Sequence, residues 1–193
     1  MPDPTTAERI VHAARALLER DGAQAVSMRR VADTVGITPM AIYRHFPDRE
    51  ALLQRISDDS FAEIAQQWAA FPRKGTPLAR LLAVHRNYLD YALAHPHLFD
   101  YVFSHAHAGT RRFPEDMRGQ RSPTLNVVAD LVQAAMDDGF LARDDVWEVV
   151  MCLWAHSHGL IALYRAGRFS YDAAEFRHFH DASLRRLIDG LKA

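Results

Sequence analysis

The stretch from Ser27 to Phe46 constrains this chain more than any other part of its sequence. Ser27 can cap a helix whose apolar residues follow at helical spacing, and Gly36 can end that helix with a left-handed backbone. Thr38 offers a second cap, and Pro39 suits the first helical position because that position needs no amide hydrogen. The pattern predicts two short helices joined by a sharp turn, which is a helix-turn-helix.

The second helix of this pattern is predicted over residues 39–45, with Ile42 turned inward. A helix this short is not stable alone in water, so we expect neighbouring helices to hold it in place. Tyr43, Arg44 and His45 then have exposed sides. A short helix with such an outward face suits insertion into the major groove of DNA.

Residues 35–53 resemble the DNA-binding signature of the tetracycline-repressor (TetR) family. The likeness is carried by Gly36, Tyr43, His45, Phe46 and the charged start of the next helix. The family usually has lysine where this chain has Arg49, which keeps the positive charge in a planar guanidinium. Over residues 5–55, the resemblance implies the three-helix DNA-binding module of a transcriptional regulator.

The candidate DNA contacts divide into base readers and phosphate contacts. Arg29 and Arg44 are predicted base readers because arginine bonds guanine edges in a bidentate way, although both could be ordinary surface arginines. Tyr43 and His45 are predicted phosphate contacts, as the resemblance implies; packing and helix capping are the alternatives. Arg49 is also predicted to meet phosphate. The full predicted set is Ser27, Met28, Arg29, Thr38, Pro39, Met40, Ala41, Tyr43, Arg44, His45 and Arg49.

Helical periodicity continues through the rest of the chain, and no strand pattern competes with it, so the predicted fold is all-α. Further helices are predicted over 5–21, 48–71, 77–94, 98–103, 122–138, 144–167 and 172–193. The long helix over 48–71 should join a DNA-binding domain, residues 1–50, to a ligand-binding and dimerisation domain, residues 51–193. Residues 105–121 lose the periodicity and are predicted to form a mobile loop.

Composition narrows the possible partners and compartments. The formal net charge of −1 gives no bulk attraction to DNA, so DNA affinity must come from the placement of charge. Cys152 is the only cysteine, which excludes an intramolecular disulfide, and it is predicted to be an inert core thiol. The best apolar run, residues 149–155, is too short to span a membrane. A cytoplasmic protein without a membrane partner is therefore predicted.

Eleven histidines raise the possibility of a metal site. They include four pairs two residues apart, a spacing that turns two rings on one helix to different faces, unlike helical zinc pairs. We therefore predict no metal and no cofactor, with adventitious metal binding as the alternative. An enzyme is not predicted either, because glycine-rich phosphate loops, nucleophile elbows and metalloprotease motifs do not occur.

The segment from Trp154 to Leu160 is the second informative stretch. Trp154 and His158 lie one turn apart on one face, and the segment resembles a W-x-x-x-H-G motif in the C-terminal domain of one TetR subgroup. A hydrogen-bonded core pair is the alternative to a pocket role. The predicted lining of a small-organic-ligand site is His85, Tyr88, Phe99, Phe103, Trp147, Met151, Trp154 and His158. A ligand there should tilt the helix over 48–71 and change the separation of the two recognition helices.

The last predicted helix, over 172–193, has more apolar surface than its own domain can easily bury. It is expected to pair with the helix over 144–167 in a four-helix homodimer interface. The predicted interface residues are Phe176, Phe179, Leu184, Leu187, Ile188 and Leu191.

Taken together, these patterns favour a repressor released from a palindromic operator by a small organic ligand. A ligand-independent helical DNA-binding factor and a helical small-molecule-binding enzyme are the alternatives.

Overall fold

The computed structural model describes residues 5–71, 74–104 and 109–193. Its helices, in chain order, are α1 (Thr6–Asp21), α2 (Met28–Val35), α3 (Pro39–Ile42), α4 (Arg49–Ala69), α5 (Pro77–Ala94), α6 (Pro96–Phe99), α7 (Glu115–Arg118), α8 (Pro123–Asp137), α9 (Val146–Arg165) and α10 (Ala173–Asp189). A short 3₁₀ helix covers Ala23–Ala25, and a π-helical segment, Asp100–Ser104, follows α6. The described residues contain no strand, and an isolated bridge joins Leu141 to Lys192. The all-α prediction is confirmed.

Polar side chains start the helices where the sequence predicted. Capping boxes begin α1 at Thr5 and α10 at Asp172, each completed by a glutamate three residues later. The remaining side-chain caps among the described residues are Ser27, Thr38, Asp48, Thr76, Ser122 and Asp145. Each cap supplies a bond to an amide that has no partner inside its helix, typically worth about 1 kcal/mol.

The predicted loop over 105–121 is wrong in part, because α7 forms one helical turn within it. Met117 is buried there, and the Asp116 carboxylate accepts hydrogen bonds from the Arg112 amide (2.7 Å) and the Arg121 guanidinium (3.0 Å). One helical turn with one buried residue leaves no apolar periodicity to detect. Residues 105–108, which include two of the paired histidines, lie outside the described part of the chain.

The chain divides into two compact units. The first unit comprises Met1–Ala62 with Ala94–Thr110, and the second comprises Glu63–Leu93 with Arg111–Ala193. Helix α4 contributes residues to both units. These boundaries describe packing, and the functional division between residues 1–50 and 51–193 stays a prediction.

In the first unit, α1 packs against α2 and α6, and α2 packs against α3. Its fully buried apolar side chains are Ile10, Ala14, Leu18, Val31, Ala32, Ile42, Leu52, Leu53, Ile56 and Leu98. Five helices contribute to this set, so the short α3 is attached to the core through Ile42 rather than supported by its own hydrogen bonds.

In the second unit, α9 packs against α8 and α10. Helix α9 has 20 residues and a mean hydropathy of 1.3, so by length and composition it could cross a membrane. The apolar run over residues 149–155 therefore understates the apolar length of this helix, and the absence of a membrane partner stays a prediction. Its apolar residues are interrupted by histidines, which shorten the longest run but leave the average high. The core helix of a soluble protein can pass the same test, although only 28% of this stretch is buried within the chain.

Three histidines of the second unit are held in their neutral form by burial. Desolvation lowers the pKa of His85 on α5 to about 3 and that of His180 on α10 to about 4, and it also lowers the pKa of His156 on α9. The buried Ser157 hydroxyl lies 2.7 Å from Nε2 of His180. His85 Nε2 has no hydrogen-bond partner among the described residues. Protonating either buried ring would place an unpaired charge in the core.

We therefore expect the second unit to lose stability in mild acid. In the unfolded chain, these histidines take up protons near pH 6.5, whereas the folded chain resists protonation down to about pH 4 at His180 and about pH 3 at His85. The free energy of unfolding should accordingly fall as pH drops from 6.5 toward 4. Urea unfolding measured at several pH values tests this. With His85→Phe, the free energy of unfolding should fall less steeply as pH drops. With His178→Gln, at an exposed position on α10, the decrease should be as steep as in the unmutated protein.

Candidate functional site

The turn between α2 and α3 has the backbone geometry that the sequence predicted. Gly36 is left-handed (φ 75°, ψ 37°), and its amide donates to the Ala32 carbonyl at 3.0 Å. The Ile37 amide donates to the same carbonyl, also at 3.0 Å. The Thr38 hydroxyl then accepts a hydrogen bond from the Ala41 amide at 3.2 Å and starts α3. A side chain at residue 36 would strain this backbone, so glycine is required there for conformational reasons.

Helix α3 is shorter than predicted, ending at Ile42 rather than His45. Beyond it, the backbone tightens, with the Arg44 amide bonded to Ala41 (3.3 Å) and the His45 amide bonded to Ile42 (3.0 Å), each three residues back. Pro47 disfavours helical backbone in Phe46, the residue before it, so the tightened turn does not extend into a longer helix. The tightened turn nevertheless continues the direction of α3 for most of another turn.

An exposed face runs along α3 and the turn after it. Met40 is 71% exposed and Tyr43 is 49% exposed, and residues three or four apart share one side of a helix. Most of the predicted DNA-contact residues are exposed, namely Ser27, Arg29, Thr38, Pro39, Met40, Tyr43, Arg44 and His45. Ala41 is half-buried. This face carries apolar, aromatic and cationic groups within two helical turns.

Met28 does not belong to this face, and its burial does not favour the predicted DNA contact, which stays a prediction. The side chain is only 7% exposed, because Met28, Val31 and Ala32 form the buried stripe of α2. Ser27 and Arg29, the neighbours on either side, remain on the surface. Helical periodicity places residues one apart on different sides, so the three could not all face DNA.

Arg49 is bound within the chain on all three guanidinium nitrogens. It donates to the carbonyls of Val26 (2.8 Å) and Ala23 (2.6 Å) and to the carboxylate of Glu50 (2.8 Å). The planar fork thereby joins the start of α4 to the residues immediately before α2. This geometry favours a positioning role for Arg49, while its predicted phosphate contact stays untested.

Two further arginines brace the module and escaped the sequence reasoning. Arg9 on α1 donates from Nη2 to the Val35 carbonyl at 2.8 Å, directly before the turn. Arg30 donates to Asp21 at 2.7 Å, and the pKa of Asp21 is lowered to about 2 by hydrogen bonds from Arg20 and then Arg30. A carbonyl acceptor has no residue identity, so the sequence carries no signal for the Arg9 bond.

The second unit brings three of the predicted ligand residues together in one hydrogen-bonded cluster. Trp154 donates from Nε1 to the Tyr88 hydroxyl at 3.1 Å, and that hydroxyl lies 2.8 Å from Nδ1 of His158. Indole nitrogen only donates, so the Tyr88 oxygen accepts there and its own proton is available to His158. Burial raises the pKa of Tyr88 and keeps that proton in place.

The predicted ligand residues are divided between the two compact units. Phe99 and Phe103 belong to the first unit, where their ring centroids lie 5.2 Å apart and Phe103 meets Phe61 at 5.1 Å. His85 is buried on α5, and Trp147 and Met151 are half-buried on α9. Their assignment as ligand contacts stays a prediction, and the observed packing fits the alternative of a core tryptophan beside a hydrogen-bonded histidine.

A cavity of about 580 Å³ opens elsewhere in the second unit, between the end of α4, α5 and α8. It is lined by Trp68, Ala69, Phe71, Lys74, Ala79, Arg80, Ala83, Val84, Val127, Asp130, Leu131 and Ala134. None of the eight predicted ligand residues is among them. The sequence patterns that drew attention to aromatic residues on α9 therefore missed this cavity, whose walls are mostly small aliphatic side chains.

The predicted dimer residues are partly buried inside the chain itself. Phe176, Leu184 and Ile188 form the inward stripe of α10 and are buried within the chain, which does not favour their predicted place in a dimer interface. Phe179, Leu187 and Leu191 are half-buried. Part of the apolar surface of α10 is covered by aromatic residues of α9 and of the segment after it, with ring centroids 4.0 Å from Phe176 at Tyr164 and 5.3 Å at Phe169.

Helix α9 supplies an exposed apolar face instead. Cys152 is exposed, so its assignment as a core thiol is wrong. Ala155, Ala162 and Leu163 are exposed too, and a Cβ at Gly159 would meet nothing within 4 Å among the described residues. We call residues 152, 155, 159, 162 and 163 the α9 stripe. They follow helical spacing along one side of the helix.

Two family models match the chain. Residues 10–56 match bacterial regulatory proteins of the tetR family, and residues 81–191 match the tetracyclin repressor-like C-terminal domain. The HTH-type transcriptional repressor DrrR1 of Streptomyces coeruleorubidus is 40% identical over 58 residues, which are 30% of this chain. The matched region is only 22% of the length of that repressor.

Solved structures share the fold at low sequence identity. A protein of unknown function from Rhodococcus sp. RHA1 superposes with a TM-score of 0.83 at 21% identity, covering 100% of this chain and 98% of that one. FadR from Bacillus subtilis, solved in complex with stearoyl-CoA, gives a TM-score of 0.75 at 14% identity, covering 95% and 98%.

Mutation of Arg44 should change DNA affinity, whereas mutation of Arg49 should change the stability of the fold. Arg44→Ala removes an exposed side chain and should weaken specific DNA binding by about 1–3 kcal/mol without changing the unfolding midpoint. Arg49→Ala leaves two carbonyls without their charged donor and should reduce the free energy of unfolding by about 1–3 kcal/mol. Urea unfolding and DNA titration of both variants separate these effects. An Arg49→Ala protein of unchanged stability that binds all DNA sequences less well, with a flatter salt slope, would favour the phosphate role.

Proposed function

This chain belongs to the tetracycline-repressor (TetR) family of DNA-binding transcriptional regulators, and we propose that it is a homodimeric repressor released from a palindromic operator by a small organic ligand. The observation that carries the DNA-binding part is the exposed face of α3, set between the left-handed Gly36 and the buried Ile42. Such a braced short helix suits the major groove, which is wide enough for one helix and displays a distinct pattern for each base pair.

The α3 face offers two kinds of contact to DNA. The guanidinium of Arg44 can reach base edges, while Tyr43 and His45 have donors suited to phosphate oxygens. Met40 and Pro39 present apolar surface that suits a thymine methyl group. On the preceding helix, Arg29 is exposed and can reach the same groove. The net charge of −1 means that this local arrangement, and not bulk charge, supplies the attraction to DNA.

A two-fold dimer would present two such faces to one operator. The α9 stripe supports this assembly, because exposed small residues permit close approach of a symmetry-related helix and leave an apolar surface that association would cover. The half-buried Phe179, Leu187 and Leu191 could extend the interface at its edge. An isologous interface imposes inverted symmetry on the two bound half-sites, which makes a palindromic operator the expected target.

The proposal of repression and ligand release is supported by the named relatives and by the cavity. DrrR1 is named as a transcriptional repressor, and FadR was solved with stearoyl-CoA bound. The second unit of this chain contains a cavity of about 580 Å³, within the usual range of small-molecule sites. A ligand would act by binding the DNA-released state more tightly than the DNA-bound state. Such a protein would meet its operator on chromosomal DNA in the cytoplasm.

The operator experiment tests the DNA part of this proposal. DNA selected from a random library by the full chain should contain two inverted half-sites about 34–36 Å apart or a multiple of that distance, and footprinting should protect both. Affinity should fall steeply as salt rises. Selection of a single unpaired half-site, or of no sequence at all, would contradict the proposal. If a bound promoter is transcribed more, not less, when the protein is added in vitro, the repressor assignment is wrong.

Gly159 provides a test of the dimer face. Gly159→Leu adds a large side chain where the chain itself leaves open space, so the fold should tolerate the change and α9 should gain helix propensity. In the dimer, the added leucine should push the partner helix away and weaken association at least about tenfold. Sedimentation equilibrium measures this, with Ala16→Leu on the exposed side of α1 as the matched control. A Gly159→Leu protein that dimerises as tightly as the control would place the interface elsewhere.

A further inference from the structure

The cavity of the second unit has mostly apolar walls and is lined by more cationic than acidic side chains. Most of its lining is aliphatic or aromatic, and Trp68 and Val84 are buried at its base. Trp68 donates its Nε1 hydrogen to Asn87 Oδ1 at 2.7 Å, so that donor is already engaged. The charged lining residues are Lys74, Arg80 and Asp130, two cations against one acid.

Arg80 is the polar group whose bonding within the chain is incomplete. Its Nε is buried and has no hydrogen-bond partner among the described residues. Its Nη2 lies 3.7 Å from the largely exposed carboxylate of Asp138, at the outer limit of an ion pair. The Nε atom is covered by the chain itself, so a ligand in the cavity would meet the guanidinium through its Nη groups, which form strong charge-assisted hydrogen bonds with a carboxylate.

The position of the charges restricts what that acceptor can be. Lys74 and Asp130 are both exposed at the rim, whereas Arg80 is only 21% exposed. A ligand that penetrates the cavity therefore meets the guanidinium of Arg80 among aliphatic side chains, in surroundings where charge pairing is screened less than at the surface. Lys74, Arg80 and Asp130 together leave one surplus positive charge in the site. A monoanion would neutralise that charge, whereas a dianion would leave the site negative.

We propose that this cavity binds a monoanionic organic acid, whose carboxylate accepts hydrogen bonds from Arg80 and whose apolar body lies against Trp68, Val84 and Leu131. Lys74 at the rim adds to the attraction for the anion. The inference rests on the proposed ligand-responsive function and names both the site and the chemical class of its ligand. It places the ligand between α4, α5 and α8. None of Tyr88, Trp154 and His158 lines this cavity, although the ring of Trp68, which does, lies 6.5 Å from that of Tyr88.

Three probes that share one aromatic body test the charge requirement. Calorimetric titration of the full chain, without DNA, with 1-naphthylacetate, 1-naphthylacetamide and 1-naphthylethylamine compares an anion, a neutral near-isostere and a cation. The acid should bind at least about tenfold more tightly than the amide, and the amine should bind most weakly. Equal affinity for acid and amide, or no binding of any probe at about 1 mM, would overturn the proposal.

Variants on α5 locate the site. Arg80→Met keeps most of the side-chain volume and should remove the preference for the acid while leaving amide binding intact, which also shows that the variant is folded. Arg80→Lys should restore part of that preference. Arg86→Met is the matched control, because Arg86 lies on the same helix but pairs with Asp181 outside the cavity. Ala83→Leu should fill the cavity and weaken acid and amide alike. Acid binding that survives both Arg80→Met and Ala83→Leu would place the ligand elsewhere.

A separate titration distinguishes this site from the proposed regulation. Operator-bound protein is titrated with 1-naphthylacetate, and release of DNA is followed by anisotropy. If the acid binds as expected but its affinity is the same for free and operator-bound protein, the site stands and ligand-controlled release fails for this acid. If DNA binding itself fails while the Arg80-dependent acid affinity persists, the regulatory function is wrong and the site is unaffected.

Discussion

The four residues of α3 cannot hold a helical conformation in water, so the DNA-facing surface depends on the contacts that brace them. Ile42 anchors the helix in the core of the first unit, and Gly36 sets the direction in which the chain enters it. Arg9 and Arg49 add hydrogen bonds from α1 and α4 to carbonyls on either side of α2. Because these bonds end on backbone atoms, they fix the position of the chain while leaving side chains of the recognition face free to vary.

In the second unit, the main physical constraint is the burial of polar side chains. Tyr88, Trp154 and His158 satisfy one another, and Ser157 pairs with His180. The Ser157–His180 pair is stable in a core only while the ring stays neutral, and burial maintains that state by lowering the pKa of His180. Arg80 differs from these residues because a guanidinium remains charged in proteins. A partly buried charge favours a partner of opposite charge, which a neutral core group does not require.

Local patterns were the most reliable part of the sequence. The caps at Ser27 and Thr38 were each readable from a few neighbouring residues and appear as predicted. Errors arose where an assignment needed knowledge of distant neighbours. Cys152 was assigned to the core although its side chain is exposed. Phe176 was expected to need a partner chain, yet Tyr164 stacks on it.

The sequence by itself determined the all-α class, the helix-turn-helix and the family, because these depend on helical periodicity, capping side chains and a turn that requires glycine. All three are interactions within a few residues along the chain. Only the tertiary structure decided which arginines brace the module, which face of α9 lies open and where a cavity remains between helices. Those features depend on packing between residues far apart in sequence. The bracing arginines donate to backbone carbonyls, and the open face of α9 and the cavity both border empty space. Neither leaves a pattern in the order of the amino acids.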